Sequence, residues 1–378
     1  MPHMHTFCAI TVELLLTMAS GSCDGEQAAI TVLLCVPDKV RSRLGALLDA
    51  PVQGVRFVPY VEEAGEDEEG RHATTPPPLP ACDLVLHKAV NDIVLRLDDA
   101  AAARRYATLE RLAARVPLLD PLPSVALFAD RGVLCRTLAG LRPEVPQPRF
   151  LELREPSESV AAAARAAGMR FPLLCKPLVA CGPAASHELA VALCEEGLSQ
   201  VRPPVLLQEY VAHHGAVMYK GYCVGRRVHV AQRASLPDLR LAGHDGAATT
   251  LVRFDSQKPP PSASAFGVGT AADAAPVTDG MGPAAASVEE ERRRACTEQI
   301  ASRVGQQLGV ELLGVDVVFA EPSGEPLVVD ANYFPHGPHS FPDFAQALCE
   351  VVRRRTQSPD GSGQPCTGVG SVPVRAQP

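Results

Sequence analysis

The sequence predicts an α/β (α+β) chain: a small N-terminal unit on a parallel sheet, then a larger half built from antiparallel hairpins. Three observations predict it. Short apolar runs alternate with helical patterns through the first third, the order that builds parallel sheets. Three strand-like runs follow one another directly between residues 203 and 236. A last apolar pair, "VELLGVDVVFA" and "PLVVDANYF", is joined by the turn "EPSGE".

In order along the chain, residues 1–27 are expected to form a flexible extension. The apolar run 7–20 is broken by Glu13, has no Lys or Arg ahead of it, and is too short to span a bilayer. The first domain, 28–122, takes strands at 28–36, 54–60, 83–88 and 116–120, a helix from about residue 40 and another over 97–115. Residues 62–81 are acidic, then proline-rich, and read as a loop. The second domain, 123–355, opens with a helix through 139 capped by Pro123 or Ser124. "FPLLCKPLVACG" reads as a strand entering a loop, and "SHELAVALCEEG" as a helix capped by Ser186 and stopped at Gly197. Strands follow at 203–211, 216–225 and 226–236, the last two joined by a Gly225-Arg226 hairpin turn. Residues 256–287 have almost no large apolar side chains and read as a disordered insertion. A helix over 288–308, the hairpin 310–334 and a helix over 341–355 complete the domain, and 356–378 reads as a flexible tail.

Composition narrows the function. The hydrophobic share of 46% and charged share of 21% are those of a globular protein with a large core. Net charge is −8, but six acids sit in residues 62–70, and without them the balance is near −2. Neither value fits nucleic acid or an anionic membrane as partner. Aromatic residues are 4% with no Trp, a poor set for stacking on bases. The 12 Cys show no CxxC spacing, which argues against a zinc module and for reduced thiols in a cytoplasmic protein. No strand edge or apolar helix is left obviously over, which fits a monomer.

Only five lysines (Lys39, Lys88, Lys176, Lys220 and Lys258) and two asparagines (Asn91 and Asn332) occur, against abundant Arg, Ala and Pro. Arg has replaced Lys wherever a generic positive charge suffices. The surviving lysines are therefore expected where a compact point charge is required and a planar fork will not serve. Lys258 lies in a Pro-rich loop and is set aside. Lys220 falls mid-strand, where an unpaired charge would be costly, and a nucleotide phosphate would pair it. On the hairpin, Asp330 and Asn332 are two apart and leave one face of a strand. Antiparallel pairing about the turn puts Asp316 opposite Asp330, to within a residue. Two carboxylates and an amide oxygen suit Mg²⁺, two ions of which would bridge ATP phosphates. The bland alternative is a solvated hairpin face. Gln208, Glu209 and the backbone of 210–211 resemble a hinge that reads adenine.

A strand, Lys and Gly loop, then "QE", a Lys on a strand and a hairpin bearing D…D-x-N is the arrangement of the ATP-grasp fold. The stretches "CKPLVACGPAASHEL", "PPVLLQEYVAHHGAVMYKGYCVG", "QRASLPD", "LLGVDVVF" and "VVDANYFP" closely resemble the inositol-tetrakisphosphate 1-kinase family, also called inositol 1,3,4-trisphosphate 5/6-kinases, in their plant and algal form. "LHKAVNDIV" and "LLDPLPSVALFADR" extend the resemblance, which spans about 30–355 without the two insertions.

The resemblance implies an ATP- and Mg²⁺-dependent kinase. It would act on ring hydroxyls of inositol 1,3,4-trisphosphate (5/6-position) and inositol 3,4,5,6-tetrakisphosphate (1-position). ATP would be held by Arg131, Lys176, Gln208, Glu209, Lys220, Ser235 and Ser256. Magnesium would be held by Asp316, Asp330 and Asn332. The inositol phosphate would meet Lys39, Lys88, His187, Lys220, Arg233, Asn332 and the backbone of 335–337, Gly337 included. Lys220, Asp316 and Asp330 would form the reacting centre, with Asp316 a candidate late proton acceptor. His187 is also read as starting a helix whose amides face an anion.

Two departures stand out: Cys181, where relatives have His or Asp, and His336, where they have Gly. His213 and His214 are adjacent, so at most one faces the site. Two rivals remain. One is an ATP-grasp carboxylate–amine ligase, disfavoured by Lys39 and Lys88. The other is an inactive inositol-phosphate sensor, disfavoured by the complete metal set.

Overall fold

The computed structural model describes residues 30–61, 78–156, 159–211, 213–239, 249–267, 283–334, 341 and 343–357. The first sheet is parallel throughout, in the order β2-β1-β3-β4. Its strands are β1 (Ile30–Cys35), β2 (Val55–Pro59), β3 (Leu84–His87) and β4 (Leu118–Leu119). β1 alternates between two cores. Val32 and Leu34 face a cluster shared with the C-terminal half, and Leu33 faces another. A strand buried on both faces needs a continuous apolar run, which "ITVLLC" supplies. The short helices α1 (Asp38–Arg41) and α2 (Gly45–Leu48) follow β1, and α3 (Val90–Leu95) and α4 (Ala100–Ala113) follow β3. Asp99 caps α4 by accepting from the amides of Ala101 and Ala102.

The expected helix through 139 is two helices. α5 (Leu122–Ala126) runs into a 3-10 turn over 127–129, Asp130 is extended, and α6 (Arg131–Ala139) starts afresh. Asp130 is the N-cap of α6, its Oδ1 accepting from the amide of Val133 at 2.9 Å. Capping wins over continuation because a short carboxylate satisfies an otherwise orphan amide. The break presents Arg131 to the loop after the next lysine-bearing strand.

The second sheet runs β11-β7-β6-β8-β5. β5 (Phe150–Leu153) precedes α7 (Val160–Ala166), and β6 (Leu173–Pro177) bears Lys176. The segment read as a helix over 186–197 is instead a 3-10 turn (Ala184–His187), the strand β7 (Glu188–Ala192) and a one-turn helix α8 (Glu195–Leu198). Its Glu, Leu and Ala favour a helix locally, but pairing with β6 on one side and β11 on the other decides the outcome. Gly197 is not a helix stop. It sits inside α8, where a Cβ would collide with the carbonyl of Thr250.

β8 (Val205–Glu209), β9 (Val217–Val224) and β10 (Arg227–Ala234) follow, the last two turning at Gly225 (φ 64°) as expected. β11 (Leu251–Asp255) returns to the edge of the second sheet. Residues 256–267, expected to lack structure, include a 3-10 turn that buries Phe266 completely with Val191, Leu239 and Val252. One large apolar side chain suffices to anchor such a segment. Residues 268–282 lie outside the described residues.

The third sheet is antiparallel, β10-β9-β12-β13. α9 (Pro283–Leu308) packs on its back face so tightly that a Cβ on Gly221 would lie 2.8 Å from that of Ala301. β12 (Leu312–Ala320) is buried from Leu312 to Phe319, and β13 (Glu325–Tyr333) leads into α10 (Phe344–Gln357). Asp316 pairs with Asp330, in the expected register. Among the described residues no helix is long and apolar enough to cross a membrane.

The first and third sheets meet at a fully buried polar junction. The Asp120 carboxylate accepts from the amides of Glu311 (2.8 Å) and Leu312 (3.1 Å) at the start of β12. Its own amide donates to the Tyr333 hydroxyl (3.0 Å) at the end of β13. His87 Nε2 donates to the Asp120 carbonyl (2.5 Å). Burial pushes the Asp120 carboxyl up to about 7 and the His87 imidazole down to about 4.

The two shifts have opposite linkage. Between pH 4 and 6.5 unfolded His87 binds a proton that the folded ring refuses, so acid costs stability. Over the same range folded Asp120 holds a proton that the unfolded carboxyl releases, so acid adds stability. Each is worth roughly 3 kcal/mol, and in the native chain they largely cancel. Relative to the parent, Asp120→Asn should therefore lose stability on going from pH 6.5 to 4.5, and His87→Gln should gain it. Denaturant unfolding at the two pH values checks this, and equal slopes in all three proteins would refute it.

Candidate active site

Sheet parity assembles the centre of the site. Lys220 on β9 lies directly across from Asp316 on β12, and Asp316 across from Asp330 on β13, so three charged groups form one row over three strands. Lys220 Nζ donates to Asp316 Oδ1 at 2.7 Å. Burial pulls the ammonium down, but the Asp316 charge and hydrogen bond outweigh it and hold Lys220 above the usual lysine range. The lysine expected to await a phosphate therefore already has a partner. Its stem crosses Gly314, where a Cβ would stand 3.3 Å from Lys220 Cε. Asn332 pairs with Gly314, two residues along from Asp330, and its amide donates to Asp330 Oδ2 at 3.3 Å.

The register of β12 and β13 slips beside Asp316. Asp316 pairs with Asp330 but Val317 pairs with Val328, leaving Val329 as a bulge. The Val329 carbonyl accepts from Lys176 Nζ at 2.7 Å, so a buried lysine of the second sheet reaches the third. Burial lowers the Lys176 ammonium, and the Asp330 carboxylate opposes that shift. Arg131, Lys176 and Asp330 line one narrow cavity with Cys135, Gln147 and Leu206. Arg131 donates to the carbonyls of Pro177 (2.7 Å), Val179 (3.1 Å) and Ser186 (3.1 Å). It thus clamps the loop after Lys176, a role that no local pattern marks.

Gln208 and Glu209 point to opposite faces of β8. Gln208 is buried with its Nε2 donor unmatched, the orphan expected where a ligand acceptor docks. The Glu209 carboxylate is turned away, held by Arg149 (3.3 Å) and by Arg170 (2.8 Å). Its backbone amide is also committed, donating to the Arg149 carbonyl at 2.8 Å. Ser235 Oγ lies 3.0 Å from His214 Nε2. Ser256 Oγ lies 3.5 Å from His187 Nδ1. His187 ends the 3-10 turn and precedes a strand, so the helix amides expected around it are absent. Burial, then the charge of Arg131, lowers its imidazole.

On the N-terminal side, Lys88 sits over the ring of Phe334 at 5.6 Å. Phe334 leaves β13 in the left-handed region (φ 57°), a strained geometry for a bulky residue that brings its ring beneath Lys88. Burial, then the like charge of Arg43 and, less strongly, of Lys39, pushes the Lys88 ammonium down to about 8, with Cys181 opposing. Cys181 donates from its thiol to the Val90 carbonyl at 3.5 Å, packing the loop onto α3. Arg233 is exposed and donates from Nε (3.1 Å) and from its NH2 nitrogen (2.6 Å) to the Tyr222 hydroxyl. Lys220 lies 5.9 Å from the same ring. Tyr222 was missed, although its place two residues from Lys220 on one strand was the available signal. Gly337, His336 and the 335–337 backbone lie outside the described residues.

The set fits a hard divalent cation. Asp316 Oδ2, the Asp330 carboxylate and the Asn332 amide oxygen are oxygen donors on one face, without sulfur or imidazole among them. Comparison with known proteins places the chain in a family. The family described as the inositol 1,3,4-trisphosphate 5/6-kinase ATP-grasp domain matches residues 142–354. An inositol-tetrakisphosphate 1-kinase of Xenopus laevis is 30% identical over 294 residues, covering 74% of this chain and 69% of that protein. Inositol-tetrakisphosphate 1-kinase 3 of Arabidopsis thaliana is 31% identical over 277 residues, covering 71% and 72%. Among solved structures, D-alanyl-alanine synthetase A of Vibrio cholerae shares the fold, with a TM-score of 0.50 at 12% identity over 87% of this chain and 99% of that one. With more than half its length matched by one family, and with relatives of that family at 30–31% identity covering 71–74% of it, this chain belongs to the inositol 1,3,4-trisphosphate 5/6-kinases.

Proposed function

We propose that this chain transfers the γ-phosphoryl group of ATP to a free hydroxyl of an inositol polyphosphate, acting as a monomer in the cytoplasm. Its substrates would be inositol 1,3,4-trisphosphate, at the 5- or 6-position, and inositol 3,4,5,6-tetrakisphosphate, at the 1-position. The observation that carries the proposal is the row Lys220, Asp316, Asp330 over three adjacent strands, closed from the second sheet by Lys176. Phosphoryl transfer needs little covalent help from a protein. It needs alignment and neutralisation of charge on the transferred group.

Asp316, Asp330 and Asn332 would hold two magnesium ions, which when bound neutralise the phosphate oxygens. Lys176 and Lys220 meet the β- and γ-phosphates, exchanging the Val329 carbonyl and part of the Asp316 bond for phosphate oxygens. The adenine lies against Gln208 and the backbone from Glu209 to Val211. Lys39, Lys88, His187 and Arg233 hold ring phosphates so that one hydroxyl lies in line with the γ-phosphorus. Asp316 accepts the hydroxyl proton late.

The test is phosphorylation of inositol 1,3,4-trisphosphate, inositol 3,4,5,6-tetrakisphosphate and inositol hexakisphosphate, with products separated by anion exchange. New phosphate on a ring supports the proposal. Nucleotide binding without any ring product would sink it. Asp330→Ala should cut kcat by roughly 10³-fold while the unfolding midpoint moves little, because a partly exposed carboxylate is lost without opening the core. A kcat within tenfold of the parent would remove Asp330 from the metal set.

The Lys88 ammonium adds a pH signature. With its free-protein value near 8, the lysine is charged below that pH and must gain a proton on meeting a phosphate above it. KM for the inositol phosphate should therefore rise above pH 8 by up to about tenfold per pH unit, with KM for ATP unaffected. Lys88→Met should raise KM at pH 7 and abolish the alkaline rise. A rise that persists in this variant would assign it elsewhere.

A further inference from the structure

The segment after β8 and the end of β10 are stapled together around a buried histidine. Asp238 accepts from the amides of His214 (2.9 Å), Gly215 (3.2 Å) and Ala216 (3.3 Å). The Ser235 amide donates to the Ala216 carbonyl at 2.9 Å. The Tyr210 hydroxyl donates to the Pro237 carbonyl at 2.5 Å, and its ring meets that of His214 edge-on at 6.2 Å. His214 is 4% exposed and has no freedom to turn.

Its two ring nitrogens have different partners. Nδ1 lies 2.8 Å from the Val211 carbonyl and Nε2 lies 3.0 Å from Ser235 Oγ. A carbonyl can only accept, so Nδ1 holds the proton. Burial lowers the imidazole further than Asp238 and the carbonyls of Val211 and Leu236 raise it, so the ring is neutral and Nε2 is bare. A bare nitrogen can only accept, and the Ser235 hydroxyl must then donate its single proton to it. What Ser235 has left is lone pairs.

We infer that the His214–Ser235 pair is a reader of a sugar hydroxyl, in which His214 fixes Ser235 as an obligate acceptor for a ribose hydroxyl of the nucleotide. This rests on the ATP site proposed above and deepens it. A serine with a free proton serves a phosphate oxygen well, but one whose proton is committed presents lone pairs to lone pairs and repels it. A ribose hydroxyl brings its own proton. The position agrees, because His214 is anchored on Val211, the last residue of the segment proposed to meet adenine, and the ribose is the next group along the nucleotide. His214 acts through Ser235 and is a positioning residue.

The test compares ATP with 2′-deoxy-ATP and 3′-deoxy-ATP, by calorimetric binding and by turnover on an inositol phosphate. The wild-type protein should take one of the two deoxy nucleotides about tenfold more weakly, the cost of one lost hydrogen bond. Ser235→Ala should weaken ATP to the level of that analogue and collapse the ratio to near one. His214→Leu should shrink it, because the freed Ser235 hydroxyl is no longer held as an acceptor. His214→Gln should restore part of it, because its amide oxygen can accept the serine proton. A purely structural role would weaken all three nucleotides together and leave the ratio unchanged. Binding and turnover with no wild-type discrimination, or a ratio that survives Ser235→Ala, would overturn the inference while the kinase stands. Failure to bind any adenine nucleotide would sink both.

Discussion

An ammonium group in the middle of a β-sheet is the constraint around which this molecule is arranged. Lys220 stands on the second strand of a four-stranded sheet whose back face is sealed by α9. Removing such a charge from water costs several kcal/mol unless a counter-charge is placed with good geometry. Asp316, directly across on β12, is that counter-charge. The requirement propagates. Gly314 must lack a side chain so the lysine stem can cross it, and Gly221 must lack one so the helix can approach. Asp316 spends one oxygen on the ion pair, leaving the other toward Asp330.

The second lysine repeats the logic across sheets. Lys176 rests on the carbonyl that the β13 bulge leaves unpaired at Val329. In the free protein both ammonium groups are therefore satisfied by protein oxygens. A nucleotide would not meet bare charges. It would exchange one set of oxygens for another, so that most of the desolvation of the lysines is already done when the phosphates arrive. Arg131 serves the same economy from outside, spending its hydrogen bonds on three carbonyls of the loop that runs from Lys176 to His187.

Much of this was legible in the sequence because it depends on parity and on scarcity. The two-residue spacing of Asp330 and Asn332 fixes a shared face, and one short turn fixes Asp316 opposite. Of the five lysines, Lys176 and Lys220 reach the β12–β13 hairpin and Lys88 lies over Phe334 just beyond its end. What was not legible depends on distant partners. The alanine-rich stretch of β7 has helical propensity, and only its neighbours β6 and β11 make it a strand. The face of Glu209 is set by Arg149 and Arg170, and the bulge at Val329 by a one-residue slip no local pattern marks. The Asp120 junction joins residues 192 apart in the chain, and nothing near Asp120 in sequence announces it.

The Asp120 junction and the segment around His214 share a physical device. At each, a buried histidine has one nitrogen committed to a backbone carbonyl, which forces the other to accept. His87 gives its Nε2 proton to Asp120 and takes the Ala89 amide on Nδ1 at 3.3 Å. His214 gives its Nδ1 proton to Val211 and takes Ser235 on Nε2. In both cases burial keeps the ring neutral, so the direction of every hydrogen bond downstream is fixed by one carbonyl. A protonated ring would reverse the polarity of its second nitrogen, setting it against the Ala89 amide at one site and turning Ser235 into an acceptor for it at the other. The chain therefore holds these two histidines as wired acceptors rather than as acids or bases. This suits phosphoryl transfer, whose difficulty lies in the placement of negative charge.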